Sequence, residues 1–249
     1  MQRGSPRRLP GAGPHDSRPL SGFTRGTRHR SPRFRYLSAV TPPASDARTR
    51  ELLCELLRAF YVREWVSGTG GGICALDPDG NMLLAPTGVH KERVQPSDFF
   101  VIDPRDGSVV RPAENPELRP SECNAIFRAA IGERDATSVM HSHALSSVLA
   151  ADLATGDQIA IKDLEMLKGI RGLTNRDTHL VPVITNTPRE FELVDQVEAA
   201  LKDERFEGAY AILVRDHGAY IWGADPWETK RHAEVYHFLF EATVARARR

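Results

Sequence analysis

The ten residues SVMHSHALSS, 138 to 147, set two histidines two positions apart between a short apolar run and an alanine-rich one. On an extended strand, side chains at i and i+2 share a face, so His141 and His143 can aim both imidazoles at one point. Such a pair offers two nitrogen ligands to a metal. Taken alone, the plainer reading is one core or hydrogen-bonded histidine beside a solvated one, and the pair requires support from elsewhere in the chain.

Outward from this stretch the pattern alternates between strands and helices. Upstream, Leu52, Leu53, Leu56, Leu57, Phe60 and Tyr61 recur at three- and four-residue spacing, which predicts a helix capped at Ser45 or Asp46. Then GTGGGICAL, NMLLAPTGV, DFFVID and SVVR, separated by DPDG and PRDG turns, predict a block of antiparallel strands. A helix over ECNAIFRAAIGER leads to a strand at 137–142, a helix from 143 to about 152, and a loop carrying DLEMLKGI. The strand HLVPVI, a helix over TPREFELVDQVEAALK with proline in its first turn, the strand pair AYAILVRD and AYIWG, and a long closing helix complete the order. The expectation is a mixed α/β domain over 45–249 with a central, largely antiparallel sheet covered by helices.

His217, in VRDHGAYIWG, falls between the last two strands, where a turn with Gly218 can present its ring toward the sheet end that carries His141 and His143. Three neutral imidazoles with an open position suit a catalytic zinc or a similar divalent ion. The histidines at 15, 29, 90, 179, 232 and 237 lack this context and read as surface or packing residues. The glycine-rich SGTGGGICA, 67–75, and the small-residue turn APTGV, 85–89, can each expose main-chain N–H groups to an anion, through Gly70, Gly71 and Gly88, with the Thr87 hydroxyl as a further donor. No GK[ST] follows, so neither is a P-loop. Two such turns beside a metal point to a phosphorylated substrate.

Composition excludes several classes. The 249 residues are 41% hydrophobic and 27% charged, ordinary globular usage, and the longest apolar runs are strand-sized. Cys54, Cys74 and Cys123 are odd in number and form no CxxC, so neither disulfides nor a thiolate zinc site is expected, and a reducing cytoplasm fits. Residues 1–40 hold nine arginines, no lysine and Asp16 alone as an acid; with overall neutrality, the remaining 209 residues carry −8. Such a Pro-, Gly-, Ser- and Arg-rich leader, taken to run over 1–44, cannot bury enough surface to fold and is expected to be disordered. Targeting to an organelle and contact with nucleic acid are options for it, but its prolines and glycines oppose an amphipathic helix and no aromatic platform accompanies the charge. A nonfunctional extension, such as an over-long start, is the plainer reading. No nucleic-acid or membrane partner is expected.

Six segments, WVSGTGGGICA, APTGVHKERVQPSDFFVID, PSECNAIFRAA, MHSHALSSVLA, LEMLKGI and VRDHGAYIWG, together resemble the class II aldolase superfamily in order and spacing, over about 46 to 246. The resemblance implies an α/β fold, a three-layer α/β/α sandwich around the antiparallel sheet, one zinc per subunit on His141, His143 and His217, and a homotetramer. EMLKGI resembles the branch of the superfamily that dehydrates 5-methylthioribulose 1-phosphate in methionine salvage, which implies that Glu165 is the acid/base residue. Glu122 matches the aldolases' metal-side glutamate and Cys123 a substrate-contacting cysteine of some dehydratases, so an aldolase or epimerase acting on a sugar phosphate is the alternative. Gly70, Gly71, Thr87, Gly88, Ser121 and Cys123 are the implied substrate contacts. The glycine triplet replaces an asparagine common in aldolases, and Pro120 a phosphate-binding serine.

Overall fold

The computed structural model describes residues 46–249; the leader, its histidines and the cap expected at Ser45 lie outside the described residues. Helix α1 (Asp46–Val62) buries Leu52, Leu53, Leu56, Leu57 and Phe60 of the stripe its spacing predicts, while Tyr61, expected with them, is exposed near the helix end. The strand block follows as β1 (Gly72–Leu76), β2 (Met82–Leu84), β3 (Phe100–Ile102) and β4 (Val109–Arg111). Its first turn closes because the Asp77 carboxylate accepts from the N–H groups of Asp79 and Asn81, at 2.9 and 2.8 Å, while Gly80 takes the left-handed φ of 84°. Next come α2 (Asn124–Arg134), β5 (Ser138–Ser142), α3 (Leu145–Ala151), β6 (Gln158–Ile161), β7 (His179–Ile184), α4 (Val194–Lys202), β8 (Ala211–Val214), β9 (Gly218–Gly223) and α5 (Pro226–Ala247). Asp225 caps α5 by accepting from the Glu228 N–H at 2.7 Å, with Pro226 at its first position.

The strands form one sheet in the order β4-β3-β2-β1-β5-β9-β8-β7-β6, antiparallel at every junction except β7 with β8. Alternation along each strand builds two cores. Ile73, Leu83, Met140, Leu213 and Ile221 face α1, α3 and α5, whereas Cys74, Leu84, Val139, Ile212 and Trp222 face α2 and α4. The result is a three-layer α/β/α sandwich, as expected. Fully burying each such aliphatic side chain contributes about 1.5–3 kcal/mol, so the register of β5, buried on both faces, is strongly fixed.

Two elements differ from expectation. Gln158–Ile161 forms a strand where a loop was expected, because Ile159 and Ile161 bury one face while the backbone pairs with β7. The helix expected from Thr187 begins only at Val194; Glu190–Leu193 is a single 3₁₀ turn, and the Glu192 carboxylate accepts from the Arg189 N–H at 3.3 Å. That turn sets Glu190 at the head of the sheet.

Candidate metal centre

His141 lies within β5, His143 is one residue past its end, and His217 occupies the turn from β8 to β9, after Asp216 in the left-handed region at φ 55°. The turn can lie this close only because residue 218 is glycine: a Cβ there would overlap the Ser142 carbonyl. The three Nε2 atoms converge, with His141–His143 at 2.9 Å, His143–His217 at 3.1 Å and His141–His217 at 3.2 Å. The opposite ring nitrogens fix the tautomer. His141 Nδ1–H donates to the Ala219 carbonyl and His217 Nδ1–H to Asn186 Oδ1, each at 3.1 Å, which turns both Nε2 lone pairs inward. Tyr220 stacks on the His141 ring at 4.1 Å and holds its plane.

Converging lone pairs repel unless a cation lies between them. Tetrahedral zinc with bonds of about 2.05 Å spaces its nitrogens by roughly 3.3 Å, close to the separations here. Electrostatics favour the same state. Burial, and then the neighbouring imidazoles, hold His143 at about 3 and His217 at about 4, below the ordinary 6.5, so both rings are neutral at neutral pH and able to ligate.

A fourth group joins them. Glu190 Oε1 stands 3.6 Å from His141 Nε2 and 3.8 Å from His217 Nε2, and the donor atoms of His141, His143, Glu190 and His217 all lie within 4.8 Å of one another. Burial alone would raise the Glu190 carboxyl, and the hydrogen bond from Cys123 opposes it; lowering by His141 and His217 needs a proton on Nε2 and does not act while those lone pairs face inward. Cys123 Sγ donates to Glu190 Oε2 at 2.7 Å; burial and the adjacent carboxylate push this thiol well up, so it stays a donor. These residues can hold a metal ion.

The sequence brings the three histidines to attention but not Glu190, which is 49 residues from His141 in the chain and sits in a segment that reads as ordinary helix. The expected carboxylates lie elsewhere. Glu122 is exposed and pairs with Arg189 at 3.1 Å. Glu165 opens a 3₁₀ turn, Glu165–Gly169, with its side chain 70% exposed and bonded to Lys168 at 2.6 Å; it is not among the converging groups. Cys123 is buried against Glu190, and Ser121 Oγ accepts from its N–H at 3.2 Å. The glycine turn packs directly on the centre: a Cβ on Gly70 would overlap the His143 ring, and one on Gly71, at φ 70°, would lie 2.7 Å from the His141 carbonyl. The 85–89 turn is tied to the Ser121 segment by the Thr87 N–H, which donates to the Arg119 carbonyl at 3.0 Å, and Gly88 there has φ 67°. His179, His232 and His237 are buried packing residues and His90 is exposed. The three cysteines are free and buried. Among the described residues no helix is long and apolar enough to cross a membrane.

Comparison with known proteins agrees with this geometry. The chain is 39% identical over 202 residues to a methylthioribulose-1-phosphate dehydratase of Gallus gallus, covering 78% of this chain and 82% of that one. It is 40% identical over 214 residues to one of Osmerus mordax, covering 83% and 87%. Among solved structures, an L-fuculose 1-phosphate aldolase superposes with a TM-score of 0.66 at 20% identity, covering 81% of this chain and 87% of that chain, a likeness of fold. Residues 51–244 match the Class II Aldolase and Adducin N-terminal domain family, and it is to this family that the chain belongs.

Proposed function

We propose that the chain, through a catalytic domain over 45–249, dehydrates 5-methylthioribulose 1-phosphate to 2,3-diketo-5-methylthiopentyl 1-phosphate in methionine salvage, with one zinc per subunit on His141, His143 and His217. The convergence of three imidazoles carries this reading, together with relatives about 40% identical that are named for the dehydratase. Glu122, the residue matching the metal-side glutamate of an aldolase or epimerase, is exposed and paired with Arg189, as Glu165 is with Lys168, so the named relatives carry the choice of the dehydratase. Zinc supplies Lewis-acid polarisation of the substrate carbonyl next to the carbon that loses its proton.

The chain supplies the proton transfers and the positioning. Glu165 takes the C3 proton as its carboxylate and then protonates the departing C4 hydroxyl, so water leaves and the carboxylate is restored. Within one chain it does not converge with the histidines, so this role requires a second copy to bring it to the site, as in the proposed homotetramer. Gly70, Gly71, Thr87, Gly88 and Ser121 border the phosphate end of the substrate, and Cys123 holds Glu190 beside the imidazoles.

The test is incubation of purified, zinc-loaded protein with 5-methylthioribulose 1-phosphate. A diketone with loss of one water supports the reading; a three-carbon phosphate fragment from a suitable sugar phosphate would establish the aldolase reading instead.

A further inference from the structure

Lys91 is an ammonium group where a soluble protein rarely places one. The residue opens the 3₁₀ turn Lys91–Arg93, which packs under α1, and is only 1% exposed. Its Nζ donates to the Thr69 carbonyl at 2.8 Å and to the Val89 carbonyl at 3.1 Å. Thr69 belongs to the glycine-rich turn and Val89 to the small-residue turn, 20 residues apart in the chain. The acids whose charge reaches it, Glu190 and Glu92, make no ion pair with it among the described residues. A buried charge is costly unless paired, and burial does push this amine below its usual range.

We propose that Lys91 is the positioning residue of an anion pocket, clamping the two turns together and supplying a through-space positive charge that draws the phosphate end of the substrate. This inference rests on the phosphorylated substrate proposed above. Two observations and one physical argument carry it. The two hydrogen bonds are charge-assisted, so each polarises its peptide group: the one to Val89 strengthens the His90 N–H as a donor, and the one to Thr69 tightens the turn that the Gly70 N–H closes on the Ser67 carbonyl at 3.2 Å. The small-residue turn is fixed from its other end as well, by the Thr87 bond to Arg119 and the bridge between Pro86 and Pro120. Away from bulk water, one unpaired charge acts over several ångströms, so Lys91 need not touch the ligand. A dianion arriving between the turns is the partner that the buried ammonium otherwise lacks.

The probe is inorganic phosphate, titrated into zinc-loaded full-length protein by calorimetry. Lys91→Met removes charge and donors; Lys91→Gln keeps a donor for the carbonyls and removes only the charge. Each is expected to weaken phosphate binding tenfold or more with zinc content unchanged, and to raise KM by a similar factor while kcat stays within threefold. Weakening of less than tenfold in a folded, zinc-loaded variant overturns the inference, as does a fall in kcat at unchanged KM. If neither variant folds, the Lys91 Nζ resonance of the wild-type protein decides: a shift that saturates with phosphate supports the assignment, and no shift refutes it. The phosphate titration does not depend on turnover. A wild-type enzyme that forms the diketone while its folded variants keep their phosphate affinity removes this inference alone; a wild type that forms none removes the dehydratase reading and leaves the pocket to the titration.

Discussion

Replacing Gly70 by alanine should weaken zinc binding although Gly70 offers no ligand. A Cβ at this position would lie 2.8 Å from His143 Cε1 and nearer still to Nδ1. Ordinary carbon contacts begin near 3.5 Å, so ring and methyl must separate by at least about 0.7 Å. The backbone cannot absorb this, because Lys91 holds the Thr69 carbonyl on one side and Gly71 lies against the His141 carbonyl on the other. The His143 ring must therefore move. Zinc–nitrogen distances tolerate only about 0.2 Å, so the shift is more than three times what the site can accept. Disturbing the support of a ligand typically costs 10–100-fold in metal affinity, and that is the expected loss for Gly70→Ala. Competition with a chromophoric chelator measures it, with circular dichroism confirming that the metal-free variant is folded. An affinity within twofold of wild type would show that the turn yields, and the packing argument would be wrong.

Further outcomes follow from the same geometry. His141→Ala should abolish stoichiometric zinc in elemental analysis of chelator-free protein, against about one ion per chain in the wild type; equal occupancy would remove His141 from the centre. Glu165→Gln should retain zinc and lower kcat by about 10²–10⁴-fold, the usual contribution of an acid/base group, whereas Glu122→Gln should be milder; the reverse ranking favours the aldolase reading. Burial holds His179 and His232 at about 4 and His237 at about 3, so between these values and the ordinary 6.5 the unfolded chain binds protons that the native chain refuses. Stability of zinc-stripped protein is thus fully present above pH 6.5 and falls below it by about 1.4 kcal/mol per pH unit per histidine, as urea midpoints from pH 7.5 to 5 would show; a flat profile refutes it.

What could be read from the sequence was whatever repeats locally. The stripe of α1 and the alternation of β5 and β9 each lie in one window, and the two strand-end motifs place His141, His143 and His217 at the same head of the sheet. Gln158–Ile161 escaped because four residues are too few to show a period, and its strand character comes from pairing with β7. Thr187–Pro188 followed by acids imitates a helix start, yet those residues close a 3₁₀ turn that delivers Glu190 to the imidazoles. No local pattern marks Glu190, since its partners Cys123, His141 and His217 come from three other segments. The glycine triplet reads as an anion loop, and only coordinates reveal that two of its glycines are required by the approach of the histidine segment.

The position of β5 bears on how the centre behaves over time. It is the fifth of nine strands, bonded to β1 on one side and β9 on the other, and every residue in it is buried. Amides in such a strand exchange with solvent only through the largest opening the molecule makes, because no smaller fluctuation frees them. The His141 backbone should therefore be among the slowest positions in the chain to take up deuterium. A bound ion then cannot escape by local fraying around that ligand. Release must instead begin at His143, one residue past the strand, or at His217 in its turn, so the residence time reports on those two segments and not on β5.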